Sequence, residues 1–488
     1  MKVTQRKLQL AGLLLALVST VGCKPADEPA PEPVGTTGPS STSVAAMSED
    51  EFLDEVQQRT FRWFWEVTPD NGLTPDRWPS RTLSSIAAVG FALSAYQVGV
   101  ERGWITRAQA RERTLATLRH FWSAPQGPEP TGRIGHQGFF YHFLDGQSGL
   151  RHSDSELSSI DTTLFLGGVL LAQAYFDASH ADEVAIRELA DKIYARVQWP
   201  FFRPSPPRVT MGWRPARGYG PAQWSGYDES LLLHVLALGS PTHPLGPETY
   251  EAYVSTHEWT DFEGQAHVNF APLFGHQYSH VWIDFRGIHD AHMAERGIDY
   301  FENSRRATLS QRAYAVENPS AWRDYGENIW GLTASDGPGR FTARLDGTER
   351  EIRAYWARGA AHGDIRDDGM IAPTAAGGSV PFAPEIAIPA LRTMAERYGA
   401  HLFTEYGFLD AFNPTLRETV LAVTRGSIVP GLGWFNDDYL GIDQGPILLM
   451  IENHRTGLIW KLMRESAPIV RGLCRAGYRD GWLQGRCE

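Results

Sequence analysis

Mostly apolar segments of helix length alternate along this chain with charged, amphipathic ones. Residues 83–101 and 158–177 are almost entirely apolar, whereas residues 106–122 and 183–197 are charged and amphipathic. A helix that is apolar on most sides is buried on most sides, and an amphipathic helix keeps one face in solvent. The alternation therefore predicts an all-α fold with two concentric layers of helices, an (α/α) toroid.

Strands are scarce and short in the sequence pattern, and residues 138–143 are the best candidate. A helical bundle would have shorter loops than this chain has, and a doubly wound sheet would have strands between the helices. No clean internal repeat is visible, so the toroid is inferred from the helix alternation and not from a period. A few short strands are expected, all of them in loops.

The first residues have the pattern of an export signal. A basic start, the apolar run 8–18 and several small residues precede Cys23. The run is too short to span a bilayer, and the pattern predicts a signal peptide over residues 1–22. A Cys directly after a small residue resembles a bacterial lipobox, although Thr20 stands where Leu is usual. Lipidation of Cys23 is therefore predicted, with a plain signal peptide as the alternative.

A disordered lipoprotein tether is predicted over residues 23–47, which are rich in Pro, Ser, Thr and Gly. Ser48 and Glu51 have the spacing of a capping box, so the folded domain is expected over residues 48–488. The residue after Cys23 is Lys24 and not Asp. By analogy, this favours sorting of the lipoprotein to the outer membrane. The expected product is an exported periplasmic or cell-surface lipoprotein that meets the membrane only through its lipid anchor.

Charge and cysteine content exclude several classes of function. The chain has 57 acidic and 45 basic residues, a formal net charge of −12, and a nucleic-acid partner would need a basic surface. Cys474 and Cys487 can pair in an oxidising compartment. The four histidines within residues 276–292 are interpreted as a hydrogen-bonding loop, not as a metal site, because no ligand set of known spacing follows. No metal and no cofactor are expected, and the expected state is a monomer.

Carboxylates recur beside aromatic residues at the junctions of loops and helices. Aromatic residues make up 11% of the chain, and of seven acidic junctions all but the one at residues 151–161 contain Trp, Tyr, Phe or Gly. Rings stack on sugar faces, Asp and Asn bind hydroxyl groups, and two carboxyl groups can perform acid/base work on a glycosidic bond. The alternative is a core that uses aromatics as filler and loops in which an acid such as Asp154 only caps a helix.

Several of these junctions resemble the glycoamylase-like family, which contains bacterial β-1,2-glucanases and a domain of cyclic β-1,2-glucan synthases. The similar segments include ENIWGLTASDGPGRF, DDGMIAPTAAGGSVPFAPE, YGFLDAFN, GIDQGPILLMIENHRTGLIWKLM, SELSSIDTTLFLGGVLLAQAYF and YDESLLLHVLALGSPTHP. The match runs from about residue 50 to residue 466. The resemblance implies an (α/α)6 barrel, export, and hydrolysis of β-1,2-glucan by two carboxylates, in an endo-acting and inverting manner and without a cofactor.

The resemblance also implies roles for individual residues. Glu229 matches the general acid and Glu156 the second catalytic carboxylate, while Asp154 and Asp161 are expected to orient the water or bind sugar. Glu229 stands near a predicted helix N-terminus, where the dipole favours the ionised form, so desolvation or a neighbouring carboxylate must keep it protonated. The predicted substrate-binding residues are Trp224, Tyr227, Trp330, Asp336, Asp410, Asn413, Trp434, Asp443, Gln444, Glu452 and Arg455.

Three other functions remain open at this point. A related β-glucoside or oligosaccharide hydrolase or transglycosylase would use the same carboxylates. A polysaccharide lyase on the same toroid would need a basic cleft for uronic acids, which the acidic balance disfavours. A glucan-binding lipoprotein without catalysis is a third possibility, and retention of both Glu156 and Glu229 argues against it.

Overall fold

A computed structural model of the chain describes residues 41–80, 83–418 and 422–487. The predicted signal peptide, Cys23 and the tether up to residue 40 lie outside the described residues. The described part is mainly helical, with short strands between the helices. Within it, no helix combines the length and the apolarity that a membrane crossing requires.

Sixteen α-helices occur in the described residues. They are α1 (Ser41–Ala46), α2 (Glu49–Arg62), α3 (Ile86–Glu101), α4 (Arg107–Ser123), α5 (Ser159–Tyr175), α6 (Ala181–Ala195), α7 (Leu231–Gly239), α8 (Pro247–Val254), α9 (Tyr278–Trp282), α10 (Ala291–Ala294), α11 (Tyr300–Glu317), α12 (Pro373–Gly377), α13 (Pro384–Tyr398), α14 (Gly441–Arg455), α15 (Leu458–Met463) and α16 (Ala467–Arg475). The four segments that opened the sequence argument are α3, α4, α5 and α6, so their prediction as helices is confirmed.

Partly exposed helices and buried helices follow one another in pairs: α2 and α3, α4 and α5, α6 and α7, α8 and α9, α11 and α12, α13 and α14. The buried members contact each other in the order α12, α14, α3, α5, α7, α9. Gln277, the residue before α9, donates a hydrogen bond of 2.8 Å to the carbonyl of Ala375 in α12. The buried helices therefore form a closed succession of contacts.

The tightest contact between buried helices joins α3 to α5 through two glycines. A Cβ atom on Gly90 would lie 2.3 Å from the carbonyl oxygen of Leu164, and one on Gly168 would lie 2.1 Å from that of Gly90. Such distances are far below van der Waals contact, so only glycine allows these backbones to approach so closely. The small residues of both apolar segments set the spacing of the helices.

Twenty-two short strands occur in the described part of the chain, all between helices. They are β1 (Arg77–Trp78), β2 (Leu83–Ser85), β3 (Gly135–His136), β4 (Phe139–Tyr141), β5 (Phe143–Asp145), β6 (Leu157–Ser158), β7 (Gly212–Arg214), β8 (Gly218–Tyr219), β9 (Trp259–Phe262), β10 (Gln265–Val268), β11 (Ala334–Ser335), β12 (Phe341–Leu345), β13 (Thr348–Ile352), β14 (Trp356–Ala357), β15 (Gly359–Ala361), β16 (Asp364–Arg366), β17 (Phe403–Thr404), β18 (Gly407–Phe408), β19 (Phe412–Asn413), β20 (Ser427–Val429), β21 (Gly433–Phe435) and β22 (Tyr439–Leu440).

The largest sheet has five strands in the order β3-β4-β6-β7-β8. Its antiparallel register pairs Tyr141 with Leu157 and Leu157 with Trp213. This register brings together residues that lie far apart in the chain at the entrance to α5. The predicted strand over residues 138–143 contributes β4 to it.

The start of the fold differs from the prediction. The capping box is present, because the Ser48 amide donates to Glu51 Oε2 at 2.7 Å and the Glu51 amide donates to Ser48 Oγ at 3.3 Å. However, α1 lies before it, inside the predicted tether, and packs against α13 with Val44 fully buried. The guanidinium of Arg392 in α13 donates to the carbonyl of Val44 at 2.9 Å. The ordered domain therefore begins earlier than Ser48, since a six-residue helix docks there.

The predicted pairing of the two C-terminal cysteines is confirmed. Cys474 in α16 and Cys487 form a disulfide with their Cα atoms 5.2 Å apart. The bond ties the segment after α16 back to that helix.

Candidate active site

The N-terminal ends of three buried helices bring carboxyl groups together. Asp161 lies in the first turn of α5, Asp443 lies in the first turn of α14, and Glu229 stands two residues before α7 begins. All three lie within electrostatic reach of Tyr278 at the start of α9: burial raises the pKa of its phenol well above the usual range, and the charges of Asp443, Glu229 and Asp161 add to the effect. Acids more than two hundred residues apart in the chain therefore share one space.

The surroundings of Glu229 favour the protonated form of its carboxyl group. Burial raises its pKa well above the usual range, and the neighbouring charges of Asp228 and Asp161 raise it further. Among the described residues, no side chain donates a hydrogen bond to its carboxyl oxygens; its backbone carbonyl is held by Ser279 Oγ at 2.7 Å. Desolvation and the neighbouring acids thus outweigh the helix dipole in their effect on the pKa of Glu229.

Asp228 is a buried structural acid beside Glu229. It accepts hydrogen bonds from the amide of Ser230 at 2.9 Å, from the hydroxyl of Ser230 at 2.6 Å and from Tyr253 OH at 2.9 Å. Burial raises its pKa to about 6 despite these bonds. Asp228 therefore fixes the turn that leads into α7 and adds the like charge that disfavours ionisation of Glu229.

Glu156 and Asp161 lie on either side of one histidine. His142 Nδ1 lies 3.0 Å from Glu156 Oε1, and His142 Nε2 lies 3.5 Å from Asp161 Oδ1. Arg214 Nη2 donates to Glu156 Oε2 at 3.0 Å, and the hydroxyl of Ser158 donates to Asp161 Oδ2 at 2.5 Å. The five-stranded sheet brings these residues together, since β4, β6 and β7 lead into them.

The two carboxyl groups of this unit titrate differently. Burial opposes ionisation of Glu156, but the hydrogen bond and charge of His142 and the charge of Arg214 lower its pKa to about 2. Burial raises the pKa of Asp161, and the charge of His142 and the hydrogen bond from Ser158 limit the rise. The carboxylate of Glu156 is thus held in ion pairs with His142 and Arg214. Asp161 is the carboxylate whose charge acts on Glu229.

Asp154 lies outside this group. Its side chain is 49% exposed and pairs with Arg217 at 2.9 Å and with Arg151 at 3.2 Å. The structure does not support its predicted part in catalysis, because it lies on the surface of the loop, whereas Asp161 is the buried acid of the same segment.

A second group of acids, Asp336, Asp410 and Asp443, is linked to the first through Asp443. Burial and the charge of Asp336 raise the pKa of Asp410 to about 6, and burial and the charge of Asp410 raise that of Asp443 well above the usual range. Asp410 Oδ1 and Asp443 Oδ2 are buried and have no other donor among the described residues. Two like charges buried this close do not both ionise readily, so the pair favours a state in which one of the two carboxyl groups is protonated. Asp410 Oδ2 also accepts the amide of Asp336 at 2.9 Å.

Cations balance this second group. Arg77 Nη1 donates to Asp336 Oδ2, and Arg425 lies 3.6 Å from both Asp336 and Asp438. Asn436 Nδ2 donates to Asp410 Oδ2 at 2.8 Å. Three of the predicted sugar-binding acids, Asp336, Asp410 and Asp443, are thus brought together, with two arginines that the sequence did not single out.

The predicted aromatic platforms are core residues. Trp330 and Trp434 are fully buried, and Trp224 and Tyr227 nearly so. The indole nitrogen of Trp224 donates to Ser159 Oγ at 2.9 Å. Because no ring face is open, a stacking role for these four residues is not supported.

Different aromatic residues are open to solvent near the acids. Tyr355 is 42% exposed and Trp78 39% exposed. Burial of the Tyr355 hydroxyl, together with the charges of Asp443 and Asp410, raises its pKa well above the usual range, so this residue faces the second group of acids. Trp78 directly follows Arg77. These two rings are the candidates for contact with a flat ligand.

Four further predicted contacts form hydrogen bonds within the protein. Glu452 accepts from Arg102 Nε at 2.9 Å, and Arg455 donates to Asp50 at 2.7 Å, at the C-terminal end of α14. Asn413 accepts the amide of Thr415 at 2.9 Å, and Gln444 Nε2 donates to the carbonyl of Phe408 at 2.8 Å. Glu452 and Arg455 lie about 13 Å or more along α14 from Asp443, so their polar groups stabilise the fold at the far end of that helix.

The histidine-rich loop is divided between separate contacts. His276 Nε2 lies 3.1 Å from the carbonyl of Phe270, and His280 Nε2 lies 3.0 Å from Ser304 Oγ. In the described part of the chain, no three His, Cys, Asp or Glu side chains are grouped so as to hold a metal ion. The hydrogen-bonding interpretation is confirmed for His276 and His280.

Comparison with known proteins identifies the family. A family model described as "Glycoamylase: Putative glucoamylase" matches residues 221–467. A crystal structure of the same description from Bacteroides uniformis is 32% identical, with a TM-score of 0.76 over 90% of this chain and 99% of that one. An endo-β-1,2-glucanase from Chitinophaga pinensis, solved with sophorotriose and glucose, is 28% identical, with a TM-score of 0.76 over 90% of this chain and all of that one (100%).

An exo-β-1,2-glucooligosaccharide sophorohydrolase of Parabacteroides distasonis, acting at the non-reducing end, is 28% identical over 468 residues. That alignment covers 89% of this chain, and the chain spans 58% of the length of that relative. The family match and the similarity to the Bacteroides structure over nearly its whole length lead to one conclusion. The chain belongs to the glycoamylase family.

Proposed function

We propose that this protein is a glycoside hydrolase that cleaves β-1,2-linked glucan. The observation on which the proposal rests is a pair of neighbouring carboxyl groups in different surroundings: Glu229, whose pKa is raised by burial and by the charges of Asp228 and Asp161, and Asp161, held by His142 and Ser158. Two carboxyl groups in opposite protonation states are what glycosidic hydrolysis requires. The names of the Chitinophaga and Parabacteroides relatives support β-1,2-glucan as the substrate.

Glu229 acts as the general acid in this proposal. Its proton passes to the glycosidic oxygen as the bond to the anomeric carbon breaks, so the leaving sugar departs as an alcohol. Asp161 takes a proton from the attacking water, which gives the new hydroxyl group at the anomeric carbon. We assign the base to Asp161 instead of Glu156, because a carboxylate with a pKa of about 2 and two cationic partners is a weak proton acceptor.

We also propose that the helices form an (α/α)6 toroid. Six successive pairs of an outer and a buried helix in the described residues support this arrangement, as does the hydrogen bond from Gln277 to Ala375 between the ends of the buried series. The catalytic carboxyl groups then line one mouth, since Asp161, Glu229 and Asp443 all stand at helix N-terminal ends.

The experiment that tests the function is incubation of the purified protein with β-1,2-, β-1,3- and β-1,4-glucans and with starch, followed by chromatography of the products. We expect cleavage of β-1,2-glucan alone. Release of disaccharide only would indicate exo action, and a series of oligosaccharides the endo action that the sequence predicts. Starch cleavage, unsaturated uronic products or binding without cleavage would each contradict the proposal. Nuclear magnetic resonance of the first anomer formed tests inversion.

Export and lipidation at Cys23 are part of the proposal. The basic and apolar residues before Cys23 support it, as does the disulfide between Cys474 and Cys487, because such bonds persist in oxidising compartments. We expect radiolabelled palmitate to be incorporated by the wild-type protein, found in the outer-membrane fraction, and not by Cys23→Ser. Equal labelling of the two proteins, or no labelling of either, would contradict lipidation.

A further inference from the structure

We propose that His142 is a positioning residue that decides which of the two facing carboxyl groups, Glu229 or Asp161, holds the proton. This inference rests on the proposed hydrolase function and adds to it a residue that contacts neither water nor leaving group in the scheme above. The observation that supports it is the position of one imidazole ring between two carboxylates.

The ring of His142 is fixed from several sides. It stacks on Phe143, with the ring centroids 3.8 Å apart and the planes at 19°. Its backbone amide donates to the carbonyl of Glu156 at 2.8 Å, and its carbonyl accepts the amide of Ile86 at 3.2 Å. With the backbone held and the ring stacked, each ring nitrogen is aimed at a different carboxylate, Glu156 on one side and Asp161 on the other.

Four charges alternate in sign along this unit. Arg214 pairs with Glu156, Glu156 with His142, and His142 with Asp161. Asp76 is the other charged group that acts on the ring. Since both ring nitrogens face carboxylates, both are donors when those carboxylates are ionised, and the ring is an imidazolium. Burial lowers the pKa of His142, but the charges of Asp161, Glu156 and Asp76 raise it to about 9.

The positive charge of His142 determines which of the two reacting carboxyl groups, Glu229 or Asp161, is protonated. Two like charges that face each other in a buried space cannot both ionise readily, so Glu229 and Asp161 would compete for one proton. The acid neighbours of Glu229 are Asp228 and Asp161, whereas Asp161 has His142 beside it. Of these two carboxyl groups, the imidazolium stabilises the ionised form of Asp161, and the proton therefore resides on Glu229.

The test is the pH dependence of β-1,2-glucan hydrolysis by His142→Gln. Without the imidazolium, the pKa of Asp161 rises and the acidic limb of the profile moves to higher pH. Asp161 then holds a proton more often, so the pKa of Glu229 falls and the alkaline limb moves to lower pH. We expect a narrowed profile and a kcat about 100-fold lower at the optimum, with KM changed less than about 3-fold.

A matched control is His136→Gln, on the neighbouring strand β3. His136 is half-buried and stacks on Trp213 at 5.3 Å, but it contacts neither Glu156 nor Asp161. Its substitution should leave the profile unchanged. A His142→Gln profile that matches wild type would overturn the proposal. If His142→Gln fails to fold, Glu156→Gln preserves the shape of the site and should narrow the profile in the same way.

A second measurement needs no substrate. Nuclear magnetic resonance titration of the imidazole protons, with the His142 signal assigned by its loss in His142→Gln, reports the charge of the ring directly. We expect His142 to be cationic at pH 7.5 in wild type and to lose its proton at lower pH in Glu156→Gln. A neutral His142 in wild type would overturn the inference even if the glucanase assay succeeds. A cationic His142 in a protein that cleaves no glucan would leave the ion-pair chain standing and refute the hydrolase function.

Discussion

Glu229→Gln is expected to lower kcat for β-1,2-glucan by about 10³–10⁴-fold while KM stays within a few-fold. Glutamine has the shape of glutamic acid and cannot deliver the acidic proton. Among the described residues, no side chain donates a hydrogen bond to the carboxyl group of Glu229, so the substitution removes little else. Kinetic constants for the two proteins, measured on the same glucan, check the expectation.

The dependence of the rate on the leaving group tests the acid role of Glu229 more specifically than the loss of rate alone. An aryl β-sophoroside releases a phenolate that needs no proton, so Glu229→Gln should slow its cleavage far less than that of glucan. Glu251→Gln is the matched control, because Glu251 is an exposed glutamate on α8. Equal losses on both substrates, or more than a tenth of wild-type activity on glucan, would remove Glu229 from the acid role.

The same substitution has a pH-dependent effect on stability. A carboxyl group whose pKa is raised by folding stabilises the native state fully below its unfolded pKa, near 4.5, and this contribution is lost as pH rises through the folded pKa. Glutamine does not ionise and suffers no such loss. The melting temperature of Glu229→Gln relative to wild type should therefore increase with pH.

Hydrophobic patterning was sufficient to predict the helices that build the site. Segments such as 83–101 and 158–177 are apolar on every side, and they became α3 and α5. An acid inside or just before such a segment, as Asp161 or Glu229 is, must be compensated when buried. That argument requires only the sequence, and both residues lie in the shared space.

Aromatic composition could not separate a sugar platform from the core. Trp330 and Trp434 satisfy the same local pattern as Tyr355, and only the packing of distant loops decides which ring is covered. Trp and Tyr supply large buried area in either role. The prediction that Glu452 binds substrate has a different weakness. Glu452 lies nine residues after Asp443 in one helix, and a rise of about 1.5 Å per residue places the two far apart along the helix axis.

The contacts of His142 and Arg214 with Glu156 could not be predicted without the register of the sheet. His142 precedes Glu156 by 14 residues and Arg214 follows it by 58, and no periodicity links them. They meet because β4 pairs with β6 and β6 with β7. A histidine in the short predicted strand 138–143 was the only signal available, and a lone histidine does not indicate its partner.

The second large effect is expected from the loss of a buried ion pair whose arginine also binds the backbone beside Asp336 and Tyr355. Arg358 is fully buried, and its guanidinium binds Asp368 through two hydrogen bonds of 2.6 and 2.9 Å. It also donates to the carbonyl of Ser335 at 2.6 Å and to that of Ala354 at 3.1 Å. These carbonyls immediately precede Asp336 and Tyr355, so the pair holds the backbone beside two residues of the candidate site.

Arg358→Met is expected to lower the free energy of unfolding by about 3–5 kcal/mol, because Asp368 remains buried without its cation. KM for glucan should also rise, since the backbone before Asp336 and Tyr355 loses its donors. Denaturant titration and steady-state kinetics measure the two effects. Arg340→Met is the control: Arg340 is exposed and pairs with Glu351 at 3.5 Å, and its loss should cost less than about 1 kcal/mol.

The double variant Arg358→Met with Asp368→Asn tests the cause. Asparagine can still accept the amide of Arg353, which lies 3.0 Å from Asp368 Oδ2, and it leaves no buried charge. If the unpaired carboxylate is the source of the instability, the double variant should be more stable than Arg358→Met alone while its KM stays high, because the carbonyls of Ser335 and Ala354 still lack a donor. A double variant no more stable than the single one would mean that the lost backbone hydrogen bonds, and not the charge, account for the effect.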